Sequence, residues 1–214
     1  MNLSNNNPAR QKPKASDVED YLVENNKMFE LANFYRAQGK YLKAIHCLKN
    51  LLKIKDVVSY KLYLADCYIE KNSHEQALLF LNQIIEEIPS VGNFFYVLNL
   101  LKVECLVQVD RSLDALDLIE SLKASHFEEE EVLAWEAINY IKLNELDAAQ
   151  ESYSRCIEYN SSFEKAWIGL GTLHCLKNDF ELGVSCFRRA KDINSDSIVA
   201  VSYTHLTLPT ILRV

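Results

Sequence analysis

Glycine and proline are scarce in this 214-residue chain, which holds five of one and four of the other. So little turn-forming material argues against an all-β sandwich or barrel and favours long helices with short connections. No run of eighteen consecutive apolar residues occurs, so no membrane-spanning helix is expected. An excess of basic residues is also missing. The formal net charge is −7 and the pI is near 5.3, which disfavours a nucleic-acid binder, because phosphate contacts call for a cationic stripe. The polar opening MNLSNNNPARQKPKAS lacks the apolar centre of a secretory signal. There is no C-x-x-C pair, and Cys47, Cys67, Cys105, Cys156, Cys175 and Cys186 are scattered singly. They are expected to be reduced, buried core fillers in a cytoplasmic protein, not a disulfide framework.

What is present is apolar material and a period. At 49% hydrophobic and 25% charged residues, the chain can build a substantial core. From Glu164 to Ser197 it reads Trp167-x-x-Leu170-Gly171-x-x-His174, then Gly183-x-x-x-Phe187, then Ala190. Similar units precede it, with Leu133, Ala137, Tyr140 and Tyr153 in one and Leu64, Ala65, Tyr68 and Leu81 in another. A small residue marks each second half, at Ala44, Ala77, Ala115, Ala149 and Gly183, with spacings of 33, 38, 34 and 34. Apolar residues recur at i, i+3, i+4 and i+7 in both halves, so each unit is predicted to be two helices. The small residues mark where antiparallel helices cross closely, opposite a large ring such as Tyr35, Tyr68, Tyr140, Tyr153, Trp167 or Phe187. Short polar breaks separate the halves. Ser73 with Gln76 reads as a capping box, and the Asn and Asp of the other breaks read as N-caps.

These residues resemble the tetratricopeptide repeat (TPR) family, whose pattern is W-x-x-L-G-x-x-Y, then A-x-x-x-F, then A and P. The resemblance covers about Asn25 to Ser197 and implies an all-α, right-handed α-solenoid of about five helix-turn-helix units. The array is assigned to residues 17–197, with units at about 25–57, 58–91, 96–129, 130–163 and 164–197. The third unit departs most, with Asn99 and Lys102 at usually apolar positions. A four-residue excess before it, Gly92 to Phe95, is read as a longer loop or an extended first helix. Residues 1–16 read as a flexible polar leader. Residues 198–214 begin a sixth unit and then run into Ser202-Tyr-Thr-His-Leu-Thr-Leu-Pro-Thr210, which matches no helix pair. That tail looks like translated adapter sequence, and the natural protein is expected to continue past about Val201.

No residue pattern points to catalysis. Gly169-Leu-Gly171 sits mid-helix, where helix packing explains it better than a phosphate loop. His46-Cys47 and His174-Cys175 are adjacent pairs pointing about 100° apart on a helix, unsuited to a shared metal. Glu128 to Glu131 reads as a solvated acidic run at a helix start, and no G-x-S-x-G occurs. No cofactor, metal or enzymatic activity is expected.

By the TPR resemblance, positions 2, 5, 9, 12 and 13 of each unit face a concave groove. These map to Phe29, Asn33 and Arg36; Leu62, Asp66 and Glu70; Leu100, Glu104 and Gln108; Ala134, Ile138 and Lys142; and Ile168, Thr172 and Cys175. Apolar residues with a polar rim suit a protein partner, and Asp66, Glu70 and Glu104 would favour a basic one. The carboxylate clamp of chaperone-binding TPR domains does not fit, since Phe29, Tyr63 and Leu101 replace its Lys, Asn and Arg and leave only Asn33. The expected function is a non-enzymatic scaffold that binds a segment of another protein, with no nucleic-acid or membrane partner. The alternatives are the targeting region of a larger enzyme, such as a glycosyltransferase, and a structural subunit of a large assembly, in which self-association would be at home.

Overall fold

In the computed structural model, residues 27–125 and 130–195 are described. The leader at 1–16, the tail at 198–214, and Glu128 with Glu129 lie outside them. All regular elements among the described residues are α-helices. They are α1 Met28–Ala37, α2 Tyr41–Ile54, α3 Val58–Glu70, α4 His74–Glu87, α5 Asn93–Gln108, α6 Ser112–Ala124, α7 Glu130–Lys142, α8 Leu146–Tyr159, α9 Glu164–Leu176 and α10 Phe180–Ile193. The chain divides into a first compact unit up to Phe80 and a second from Leu81.

The turns inside the helix pairs are all built the same way. Gly39, Asn72, Asp110, Asn144 and Asn178 have φ of 68°, 56°, 57°, 62° and 66°. This is the left-handed region, which Gly enters freely and Asn or Asp more readily than other residues. The following amide then donates back five residues. Lys40 donates to Tyr35 (2.9 Å), Ser73 to Tyr68 (2.8 Å), Arg111 to Leu106 (2.9 Å), Glu145 to Tyr140 (2.8 Å) and Asp179 to His174 (2.8 Å). That pattern is a Schellman motif, which satisfies the last carbonyls of the first helix while reversing the chain. The N-cap reading of these breaks is therefore corrected. Lys40, Arg111, Glu145 and Asp179 stand at the starts of α2, α6, α8 and α10 and make no side-chain cap bond. The Asn, Asp and Gly residues are there for their backbone, ending the helix before.

Five residues after each left-handed residue comes the small residue of the second helix. Ala44, Ala77, Ala115 and Ala149 are fully buried, and Gly183 is buried as well. In the first unit α2 packs on α1 and on α3. Lys43 lies over the Tyr35 ring (4.9 Å), and Tyr68 stacks on Phe80 at 5.9 Å. In the second unit contacts run between α5 and α6, α7 and α8, and α9 and α10, and then onward from α6 to α7 and α8 to α9. The first helices α5, α7 and α9 also touch in succession. Between α9 and α10 the approach is close enough to exclude a methyl group. A Cβ at Gly171 would lie 2.7 Å from the ring of fully buried Phe187, and one at Gly183 would lie 2.7 Å from Cys175 Sγ and 3.1 Å from the Gly171 carbonyl. Gly169 meets the Tyr153 ring in the same way.

The excess before the third unit is an extended first helix. At 16 residues α5 exceeds every other described helix, and Gly92 enters it at φ 93°. Buried residues surround it, including Tyr96, Leu98, Leu100, Val103 and Val107, so it has no clean polar face. Asn99 is only 3% exposed, and its Nδ2 donates to Phe95 O within the helix (2.8 Å).

A charged group sits inside the packing of α6, α7 and α8. The Glu136 carboxylate is 5% exposed and accepts from Lys123 Nζ (2.7 Å) and Ser152 Oγ (3.0 Å). Beside it, Asn139 Nδ2 donates to Ser112 O (2.7 Å), tying α7 to the start of α6. All six cysteines are free, five buried and Cys175 half-buried. Burial pushes the thiols up, to about 11 for Cys67 and Cys186 and about 12 for Cys105 and Cys156.

Three measurements check this packing. Gly171→Ala should lower the urea midpoint. Crowding against Phe187 costs about 1–3 kcal/mol and outweighs the roughly 1 kcal/mol that Ala gains over Gly in a helix. Lys123→Ala should cost about 3 kcal/mol by leaving Glu136 buried and unpaired, and adding Glu136→Leu should recover much of the loss. Because only the thiolate reacts, iodoacetamide at pH 8 should modify Cys175 first and the four thiols raised to about 11–12 slowest. Rapid labelling of Cys105 in the folded chain would contradict the packing.

Candidate functional site

In the first unit, several expected groove residues are engaged with one another. The Phe29 ring lies 5.3 Å from that of Tyr60 and 5.2 Å from that of Tyr63, the second in an edge-on arrangement. Arg36 sits over the Tyr63 ring at 4.7 Å and forms an ion pair with Asp66. Desolvation lowers the guanidinium and the Asp66 hydrogen bond raises it, with a raised pKa as the net result. Asp66 is thus neutralised within the fold, and Glu70 accepts from Tyr41 Oη (3.2 Å). Asn33 and Leu62 are half-buried beside them.

The second unit treats its expected positions unevenly. Leu100 is 8% exposed, taken into the packing around α5, while Glu104 is half-buried and Gln108 exposed. Lys142 donates to Val107 O and to Asp110 Oδ1 (2.8 Å), fastening the end of α7 to the turn after α5. Thr172 Oγ1 returns to Ile168 O (2.9 Å) in its own helix. Cys175 packs against Gly183.

Ala134, Ile138 and Ile168 come together. They line one cavity of about 360 Å³ with Glu131, Trp135, Tyr153, Phe163, Lys165 and Gly169. Helices α7 and α9 form its sides, and Tyr153 of α8 reaches the floor beside Gly169. The first-helix register places residues 134, 138 and 168 there, one turn apart on α7 and at the facing level of α9. Gly169 leaves room for the Tyr153 ring, and burial pushes the pKa of that phenol up. Phe163 ends the preceding loop, and its amide bonds to Asn160 O (3.1 Å). Glu131 and Lys165 stand at the rim, 3.9 Å apart and largely exposed, so both can exchange each other for a ligand charge.

The cavity is thus apolar inside with a charge of each sign at its mouth. Such a lining can hold aliphatic or aromatic side chains. Trp135, Phe163 and Lys165 were absent from the positions expected from sequence. Trp135 follows Ala134 directly and is half-buried at the cavity. A Trp next to an expected groove position was the one available signal. His46 is exposed while Cys47 is buried, and among the described residues no three His, Cys, Asp or Glu side chains converge on a metal-sized space. No helix there is long and apolar enough to cross a membrane.

Two family models, both described as tetratricopeptide repeat, match residues 29–91 and 131–163. A search of curated proteins finds no match. Among solved structures, TTC0263, a thermophilic TPR protein of Thermus thermophilus, superposes with a TM-score of 0.68 at 14% identity, covering 86% of this chain and 98% of that one. MamA gives 0.59 at 19% identity over 77% and 95%. YrrB, a TPR protein with an unusual peptide-binding site, gives 0.53 at 16% identity over 88% and 98%. Taken with the repeated left-handed turns and the small residues five positions after them, these matches show an all-α TPR solenoid fold, in which residues 29–91 and 131–163 match the tetratricopeptide repeat.

Proposed function

We propose that this chain is a non-enzymatic protein-interaction scaffold that takes an apolar segment of another protein against its first-helix faces. The observation that carries the reading is the cavity between α7 and α9, with Ala134, Trp135, Ile138, Phe163 and Ile168 around an open space of about 360 Å³. Burying a Leu, Ile or Phe side chain there removes apolar surface from water on both partners, worth about 1.5–3 kcal/mol per side chain. Glu131 and Lys165 at the rim would fix register more than affinity. A helix or an extended strand can present such an anchor. That YrrB, of the same fold, has a peptide-binding site lends support. Asp66 and Glu70, already engaged by Arg36 and Tyr41, add little bias towards a basic partner, so the proposal rests on apolar contact.

Peptides selected from a random displayed library against the full chain should be enriched in Leu, Ile, Met or aromatic anchors. Ile138→Asp should weaken them by about 2 kcal/mol, roughly thirtyfold, as expected for loss of a central anchor. Far-UV circular dichroism and the urea midpoint establish that the variant stays folded. Undiminished binding to folded Ile138→Asp and Ile168→Asp variants would overturn the reading.

A further inference from the structure

Charge is distributed very unevenly along this acidic chain. Residues 31–55 contain Arg36, Lys40, Lys43, Lys49, Lys53 and Lys55 and not one carboxylate. Residues 110–120 contain Asp110, Asp114, Asp117 and Glu120 against Arg111 alone. Each segment contributes a second helix of a pair, α2 and α6, and the two can be aligned on their buried small residues, Ala44 and Ala115.

In that alignment Lys43 corresponds to Asp114, His46 to Asp117 and Lys49 to Glu120. These positions recur every three residues on one helix face, and all six are exposed. Leu42 and Leu113 also correspond, and they are 69% and 71% exposed. Lys43 and Lys49 thus stand where Asp114 and Glu120 stand on the other face, with His46 at the position of Asp117, and each face has an uncovered leucine at its start. Asp114 is also bonded to Arg111 Nε (2.6 Å). Lys53 continues the α2 stripe one turn on, its Nζ bonded to Asn50 Oδ1 (3.4 Å), and Lys49 leans over the Tyr68 ring (5.6 Å). Among the described residues, Lys49 and Lys53 have no carboxylate partner, and Asp117 and Glu120 have no cationic one. The exposed leucines would supply a small apolar contact at one end of each charged stripe.

We propose that the exposed face of α2 docks on the exposed face of α6 of a second copy of this chain. A second copy is the occupant because it carries the matching charges in the matching register. The contact joins two different surfaces, so it is heterologous, and each copy keeps one face of each kind for further copies. At net charge −7 the copies repel at long range, so attraction is confined to the patches and is highly sensitive to salt.

Sedimentation of the full chain tests this. Association should grow with protein concentration at about 0.01 M salt, where charges act over about 30 Å, and vanish at about 1 M, where they act over about 3 Å. Lys49→Glu/Lys53→Glu and Asp117→Lys/Glu120→Lys should each reduce association by roughly tenfold or more. Mixing the two variants should restore it, because the reversed α2 of one then faces the reversed α6 of the other. A monomer at every salt concentration would overturn the proposal. So would association that ignores salt, or variants that fail to recover when mixed. Unchanged circular dichroism of each variant ensures that lost association is not lost folding.

Discussion

Everything in this molecule depends on how closely two antiparallel helices can approach when one of them presents almost no side chain. At the α9–α10 crossing the limit is reached: Gly171 faces the buried Phe187 ring, and Gly183 faces Cys175 and the Gly171 carbonyl. In the earlier pairs Ala44, Ala77, Ala115 and Ala149 hold the equivalent place, each fully buried. Close approach brings the remaining apolar residues into dense contact, where dispersion and burial add up. The turn reinforces the crossing. A left-handed residue five positions earlier ends the first helix and sets the second on its return path, through the same hydrogen bond in all five pairs. Few glycines suffice because Asn and Asp can take that conformation with little strain.

Contacts within the second unit then run from each pair to the next, and first helices lie beside first helices. Such packing leaves the inner side of α7 and α9 short of a covering layer, and the cavity around Ala134, Ile138 and Ile168 is the result. Two polar groups taken into the packing are compensated locally, Glu136 by Lys123 and Ser152 and Asn99 by its own helix.

Much of the fold was legible because the repeat writes one steric requirement several times. The recurring Ala or Gly and the apolar spacing around it mark the helix pairs without any knowledge of tertiary contacts. The turn residues were legible as breaks but misread as N-caps, since Asn and Asp serve both roles and only the backbone torsion distinguishes them. The long α5 was one of two readings of the excess at Gly92 to Phe95, and composition alone could not choose between them. Site residues were less legible. Helical register identified Ala134, Ile138 and Ile168, but not which positions a neighbouring helix would cover. Leu100 occupies an expected groove position and is nevertheless buried, because α5 is enclosed nearly all round. Trp135 and Phe163 reach the cavity through the placement of α7 and the α8–α9 loop, which depends on packing between helices and not on spacing within one.

Proton–proton nuclear Overhauser contacts at the α9–α10 crossing test the shared steric device most directly. Strong contacts from the Gly171 Hα protons to the Phe187 ring, alongside contacts from Gly169 Hα to the Tyr153 ring, are the expected result. Their absence, with those glycine protons instead facing solvent or aliphatic neighbours, would show that the helices do not meet in this way.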